Sequence, residues 1–211
     1  MRRIWWALLR IGFRLLYREM AWSYDLVSWV VSLGHWRDWQ RTAMPHVRGP
    51  RVLDLACGTG SFLLDWHAAG MMPVGVDLSP QMVRIAAKKL RAQGLPLTLA
   101  RGRVQALPFA NATFDDVVCT FPAEFIFDRK TVAEVSRVLR LGGCFVVVLG
   151  ASLTGRDPLS RFVEWLYSIT GQRPSGPPTV DLSLPGELLP RRESVVGDGW
   201  VTAVLVGEKR G

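Results

Sequence analysis

Two carboxylates and two glycines carry the most chemistry in this sequence. Asp54 lies in the run Val52-Leu53-Asp54-Leu55-Ala56-Cys57-Gly58-Thr59-Gly60-Ser61. The run opens apolar and without helical period, as a strand buried on both faces does. It then breaks at Gly58 and Gly60, and Phe62, Leu63, Leu64 and Trp66 with polar Asp65 and His67 begin a helix. In a strand–turn–helix of this kind backbone N–H groups face a ligand, at a place a side chain would obstruct. A second apolar run, Pro73-Val74-Gly75-Val76-Asp77, ends on a carboxylate. A βαβ unit puts that carboxylate at the carboxyl edge beside the glycine turn, where it can accept both hydroxyls of a ribose. The unit reads as a site for an adenosine-containing cofactor. Leu63 occupies the place of the third glycine in the dinucleotide fingerprint, so the turn does not fit a pyrophosphate well.

The elements that would position these groups alternate in α/β fashion. Strands are expected near 51–56, 73–77, 96–100, 115–120 and 143–149, and helices near 60–69, 79–93 and 128–140. Ser79 should cap the second of these helices, with Pro80 at its first position, and Asp128 the third. Two extended runs, 194–196 and 201–207, flank Gly197-Asp198-Gly199 and predict a terminal antiparallel hairpin. Between core and hairpin, Asp157-Pro158 opens a helix carrying Phe162, Trp165, Leu166 and Ile169 and ended by Gly171. A loop rich in Pro, Gly and Ser then runs to about residue 186.

The chain has 211 residues, of which 49% are hydrophobic, which excludes a disordered protein. Its three cysteines form no Cys-x-x-Cys or Cys/His cluster, so core thiols are expected rather than a zinc site or disulfides. The net charge of +8 favours anionic partners, yet it is unevenly spread. Arg2, Arg3, Arg10, Arg14 and Arg18 crowd the N-terminus against a single acid, Glu19. Arg3, Arg10, Arg14 and Arg18 share a helical face, while Ile4, Trp5, Leu8, Ile11, Leu15 and Leu16 form a broad apolar one. An in-plane helix on an anionic membrane surface has this pattern, and so does a helix packed over the core with its arginine stems on apolar surface. A spanning helix does not fit, because Arg10 and Arg14 interrupt it, and Arg10 also splits any signal-peptide core. Residues 1–45 read as a helical N-terminal segment and 46–211 as the cofactor-binding domain.

The glycine turn resembles motif I of the class I S-adenosylmethionine-dependent methyltransferases. The resemblance continues in Val74-Gly75-Val76-Asp77-Leu78-Ser79-Pro80-Gln81-Met82, in Ala106-Leu107-Pro108-Phe109, in Phe114-Asp115-Asp116-Val117-Val118 and in Arg137-Val138-Leu139-Arg140-Leu141-Gly142-Gly143. The segment Tyr24-Asp25 to Arg41 is similar to the entry signature of the ubiquinone/menaquinone C-methyltransferases, matching at Tyr24, Asp25, Ser32, Gly34, Trp39 and Arg41 and departing at Val27, Ser28 and Trp36. The resemblance implies a doubly wound, Rossmann-like, seven-stranded, mostly parallel sheet with a C-terminal antiparallel hairpin. It implies S-adenosyl-L-methionine as cofactor, a lid formed by the entry segment, and a small or lipid-like methyl acceptor such as a quinol ring or a lipid amine. Nucleic acid is not an expected partner.

Carried onto this chain, the family's cofactor site falls on Asp54, Ala56, Gly58, Gly60, Asp77, Leu78, Met82, Arg103, Val104 and Thr120. Asp77 would hold the ribose, Asp54 would orient the turn and the cofactor's ammonium, and Leu78 and Met82 would flank the adenine. Tyr24, Asp25, His35 and Glu124 are the candidates for a general base, with Tyr24, Asp25 and Glu124 favoured. Arg103 departs from the family, which places there an aspartate that accepts from the adenine amino group; arginine has no acceptor. Leu141 replaces the usual proline before Gly142-Gly143. Two other classes remain open: a nicotinamide-dependent oxidoreductase, opposed by Leu63 and the hairpin, and a non-catalytic membrane-associated relative, supported by Arg103.

Overall fold

The computed structural model describes residues 23–155, 157–170 and 188–210. The basic segment from Met1 to Met20 and the Pro/Gly/Ser-rich loop therefore lie outside the described residues. Two short helices come first, α1 (Tyr24–Val31) and α2 (Trp36–Arg41). The core follows as β1 (Arg51–Leu55), α3 (Ser61–Ala68), β2 (Met72–Asp77), α4 (Pro80–Ala92) and β3 (Leu99–Arg101). β4 (Phe114–Thr120), α5 (Arg129–Val138), β5 (Leu139–Leu153) and α6 (Pro158–Thr170) come next. β6 (Leu188–Gly197) and β7 (Trp200–Lys209) close the chain.

The seven strands form one sheet in the order β3-β2-β1-β4-β5-β7-β6. β1 to β5 run parallel, and β7 pairs antiparallel with both β5 and β6, so the expected mixed sheet with its terminal hairpin is present. Alternate residues of each strand point to opposite faces. Leu53, Leu55, Val117, Cys119, Phe145 and Val147 pack beneath Val132, Val135 and Val138 of α5. Val52, Val118, Val146, Val148, Val204 and Val206 pack against Phe62 and Trp66 of α3. Asp116 is buried between these layers because it caps three backbone donors, the N–H groups of Arg48, Gly49 and Cys144 at 2.8–2.9 Å.

Ser79 and Asp128 cap their helices as expected, accepting from Met82 N and Lys130 N. Four boundaries differ from the sequence reading, the first being β5, which runs Leu139–Leu153 where 143–149 is expected. Helix α5 stops at Val138, two residues early, because Leu139 takes an extended conformation and pairs with Phe114 of β4. β3 covers only Leu99–Arg101. The hairpin strands are ten residues each, longer than the apolar runs that announce them. β6 contains Pro190, Arg191, Arg192 and Glu193, residues that a central strand would reject but an edge strand accommodates.

Candidate functional site

β1 has β2 on one side and β4 on the other, both parallel to it. The chain moves outward through β2 and β3 and then returns to β4, so the crevice outside the carboxyl ends of β1 and β4 is the topological switch point, where open α/β sheets bind ligands. The glycine turn stands at that place. Cys57 N–H donates to Val76 O at 3.0 Å and Gly60 N–H to Cys57 O at 3.0 Å, which bends the chain from strand into helix. Three residues of the turn have left-handed backbones: Ala56 (φ 54°), Gly58 (φ 55°) and Gly60 (φ 74°).

The two glycines serve different ends. A Cβ on Gly60 would stand 2.7 Å from Cβ of Ala86, so this glycine lets α4 close on the turn. A Cβ on Gly58 would meet nothing within 4 Å; the space in front of it is open. That opening adjoins Asp77, whose carboxylate accepts from Gly58 N–H at 2.9 Å and Ser79 N–H at 2.8 Å. A carboxylate has about four acceptor sites, so two remain for a ligand's hydroxyls. Burial pushes the Asp77 pKa up, against the backbone N–H groups of Ser79, Gly58 and Leu78, which lower it.

Asp54 is the least satisfied group of the site. It is 2% exposed, its Oδ2 has no hydrogen-bond partner, and burial with the neighbouring Asp77 raises its pKa to about 8. A buried carboxyl short of donors beside the Asp77 carboxylate suits a cationic ligand, which would draw its proton off, better than a pyrophosphate.

α1 and α2 cover this edge. Asp25 of α1 accepts from Thr59 Oγ1 at 2.6 Å and Ser61 Oγ at 3.3 Å on either side of Gly60, and pairs with Lys89 of α4 at 2.5 Å. Burial pushes the Asp25 carboxyl up, but Lys89 and the two hydroxyls together hold it below the usual carboxylate range. On α2, Arg37 and Arg41 both grip Asp65 of α3. Gln40 donates to Thr120 Oγ1 at 3.1 Å at the end of β4. The next residue, Phe121, has a left-handed backbone (φ 51°), unusual for a bulky side chain, and its ring lies 4.4 Å from that of Trp36. Tyr24 meets Trp36 edge-on at 6.3 Å and Trp39 meets Phe121 at 6.1 Å. The result is an aromatic wall beside the carboxyl end of β4.

The structure thus gathers Asp54, Ala56, Gly58, Gly60, Asp77, Thr120, Tyr24 and Asp25 along one edge. Leu78, 57% exposed, and Arg103, also exposed, stand at its β2–β3 end with buried Val104. Met82 corrects the expectation that it flanks a ligand. It is fully buried with Ala86 and Leu90, because the helical period points all three inward, so it supports the turn from beneath. His35 faces Asp38 at 3.4 Å. Glu124 opens the short turn Glu124–Phe127 after β4, and its side chain lies outside the described residues. The sequence reading missed Lys89, Thr59, Ser61, Gln40 and the Phe121 strain. Thr59 and Ser61 flank the glycine and could have been singled out; Lys89 carries no signal of its own. Among the described residues no three His, Cys, Asp or Glu side chains are placed to hold a metal ion, and no helix is long and apolar enough to cross a membrane.

Residues 52–143 match the family model described as a methyltransferase domain. A demethylmenaquinone methyltransferase of Symbiobacterium thermophilum is 35% identical over 74% of this chain and 64% of its own length. One from Thermus thermophilus is 37% identical over 63% of this chain and 63% of its own. The chain thus spans just under two thirds of the length of these relatives. Among solved structures, geranyl diphosphate C-methyltransferase from Streptomyces coelicolor, in complex with Mg2+, geranyl diphosphate and S-adenosyl-L-homocysteine, superposes with a TM-score of 0.61 at 16% identity, covering 85% of this chain and 82% of that one. The fold is that of this solved methyltransferase, and residues 52–143 resemble a methyltransferase domain.

Proposed function

We propose that this chain, which carries a class I methyltransferase domain, transfers a methyl group from S-adenosylmethionine to the ring of a lipid-tailed quinol. The observation that carries the cofactor is Asp54: a buried carboxyl lacking a partner at one oxygen, beside a second carboxylate and an open glycine turn. Bound there, S-adenosylmethionine supplies a methyl on a sulfonium, a group displaced in line as a neutral thioether. A pyrophosphate would meet the Asp77 carboxylate instead, so the nicotinamide reading is not supported.

The chain's own residues then orient the reactants and keep the site dry. Gly58 leaves room for backbone approach, Asp77 accepts the ribose hydroxyls with its two free acceptor sites, and Asp54 faces the ammonium. Leu78 lies against the adenine. Arg103 offers that ring no acceptor, which leaves its amino group to a backbone carbonyl or to Gln105. The wall of Trp36, Phe121 and Tyr24 suits a planar acceptor, and the relatives named as demethylmenaquinone methyltransferases favour a quinol among planar rings. Tyr24 and Glu124 are the groups we assign to take the acceptor's proton. Asp25, ionised and committed to Lys89, Thr59 and Ser61, is a positioning residue that ties the lid to the glycine turn. We place the protein in the cytoplasm, with the basic N-terminal segment contacting anionic lipid at the inner face of the membrane.

Calorimetric titration tests the cofactor. S-adenosylhomocysteine should bind and NADH should not, and Asp77→Ala should weaken binding by about 1.5–3 kcal/mol, the cost of leaving hydroxyls unpaired at a site built for them. Absence of heat with millimolar S-adenosylhomocysteine would refute the reading.

A further inference from the structure

We infer that the side-chain amide of Gln40 is a specificity-determining group of the site, which pairs with a ring hydroxyl of the methyl acceptor and so fixes which edge of the ring faces the cofactor. The inference rests on the planar acceptor proposed above. Gln40 meets the end of β4 with one half of its amide: Nε2 donates to Thr120 Oγ1 at 3.1 Å. Its Oε1 is buried and has no hydrogen-bond partner. A buried acceptor left unpaired costs free energy that a pairing ligand returns. Among the described residues, Gln40 Oε1 and Asp54 Oδ2 are the amide and carboxyl oxygens orphaned in this way. They belong to one crevice, because β1 and β4 are neighbours and Asp54 is in register with Val118, two residues before Thr120. Asp54 is assigned to the cofactor above; Gln40 stands on the side of the aromatic wall.

Two neighbouring contacts aim the amide. Trp36 and Gln40 are four residues apart on α2 and share a face, while Thr120 and Phe121 are consecutive at the end of β4. Trp36 packs on Phe121 with ring centroids 4.4 Å apart and Gln40 holds Thr120, so rings and amide stand side by side. Phe121 makes its contact from a left-handed backbone (φ 51°), and its N–H donates to Val148 O of β5 at 2.8 Å, which keeps it there. A planar ring lying along this wall brings its edge to the amide. Oε1 only accepts, so it pairs with an O–H and disfavours an apolar ring edge. Gln40 is itself partly exposed, and the terminal torsion of glutamine is soft enough to turn the oxygen toward an arriving hydroxyl. Exchanging the two ends of the amide would leave the NH2 unpaired instead, and a hydroxyl would then accept from it. A polar substituent on the ring is required in both arrangements.

The test titrates the full-length protein by calorimetry, with S-adenosylhomocysteine present, against two ligands. One is 2-prenyl-1,4-naphthoquinol, kept reduced with dithionite; the other is 2-prenylnaphthalene, which has the same ring and tail without the hydroxyls. Wild type should bind the quinol on the order of tenfold more tightly, as a site built for a hydroxyl rejects the ring that lacks it. Gln40→Met, of similar length but apolar, should bind the two rings within about twofold of each other, with the loss falling on the quinol. Its affinity for S-adenosylhomocysteine should stay at the wild-type value. Gln40→Glu keeps an acceptor oxygen and should retain most of the preference, a rescue that a merely structural contact would not give. Gln40→Ser, which removes the amide without adding apolar atoms, gives the same comparison if Gln40→Met does not fold. Equal wild-type affinity for the two rings, no affinity for either, or a preference that survives loss of the amide would overturn the inference. Activity is read separately. Hydroxyl-dependent binding without methyl transfer from S-adenosylmethionine to the quinol would refute the proposed activity and leave the role of Gln40 standing. Methyl transfer with a preference that Gln40→Met does not touch would do the reverse.

Discussion

Replacing Asp54 by asparagine should flatten the pH dependence of stability, and its size follows from the burial of this one group. The carboxyl is pushed up to about 8 by burial and by the neighbouring Asp77, against about 3.9 in an unfolded chain. Between those values the native state holds a proton that the unfolded state has released. Stability from Asp54 is therefore complete below about pH 4 and declines as pH rises, by about 1.4 kcal/mol per pH unit, until it levels off near pH 8. From pH 5 to 7 wild type should lose about 3 kcal/mol that Asp54→Asn does not lose. Urea denaturation of both proteins at successive pH values reads this as a gap that widens upward in favour of the variant. A cationic ligand should reverse the preference by drawing the carboxylate into its ionised form. Binding of S-adenosylmethionine should then release a proton below about pH 8, seen as a heat that changes with the buffer's ionisation enthalpy, and the variant should bind more weakly without that release. Parallel stability curves for the two proteins would refute the reasoning, because they would mean that Asp54 is already ionised in the native state.

Two further substitutions divide the roles of the turn. Gly58→Ala meets no atom of the chain and pays only for its left-handed backbone, about 1 kcal/mol, yet its Cβ enters the open space and should abolish S-adenosylhomocysteine binding. Gly60→Ala adds a 2.7 Å approach to Ala86 and should cost about 2–4 kcal/mol, so thermal unfolding separates the pair; equal losses of stability would contradict the assignment. Arg103→Asp restores the acceptor that the family uses and should keep or tighten S-adenosylhomocysteine affinity by calorimetry, and a tenfold loss would give Arg103 a role of its own.

The carboxylate-and-glycine half of the candidate site was legible in the sequence because its parts are local. Asp54, Gly58 and Gly60 lie within one strand–turn–helix, and Asp77 ends the next strand, so spacing along the chain is nearly spacing in the fold. The sheet was legible for the same reason: Val52–Leu55 and Val74–Val76 are apolar enough to declare buried strands. Errors arose where tertiary packing overrode local pattern. Pro190 to Glu193 carry no strand signal, and the edge position of β6 makes their charges and the missing N–H harmless. Met82 read as a ligand contact until the 82, 86, 90 spacing was seen to face inward. The orphaned Oδ2 of Asp54 had no sequence signature at all, since it depends on what fails to surround it.

The lid shows the same limit and where it leads. Asp25 and Lys89 are 64 residues apart and each is unremarkable alone, but together they bind α1 to both sides of Gly60 and to α4. The pair is partly exposed, so its worth to overall stability is small, on the order of 1 kcal/mol or less. Its consequence is geometric. Asp25 accepts from Thr59 and Ser61 on either side of Gly60, and the same helix α1 carries Tyr24 against the aromatic wall. The glycine turn and the aromatic wall are thus joined through one carboxylate. Under the activity proposed here, occupancy of the cofactor site and the seating of the lid are coupled by contacts that already exist.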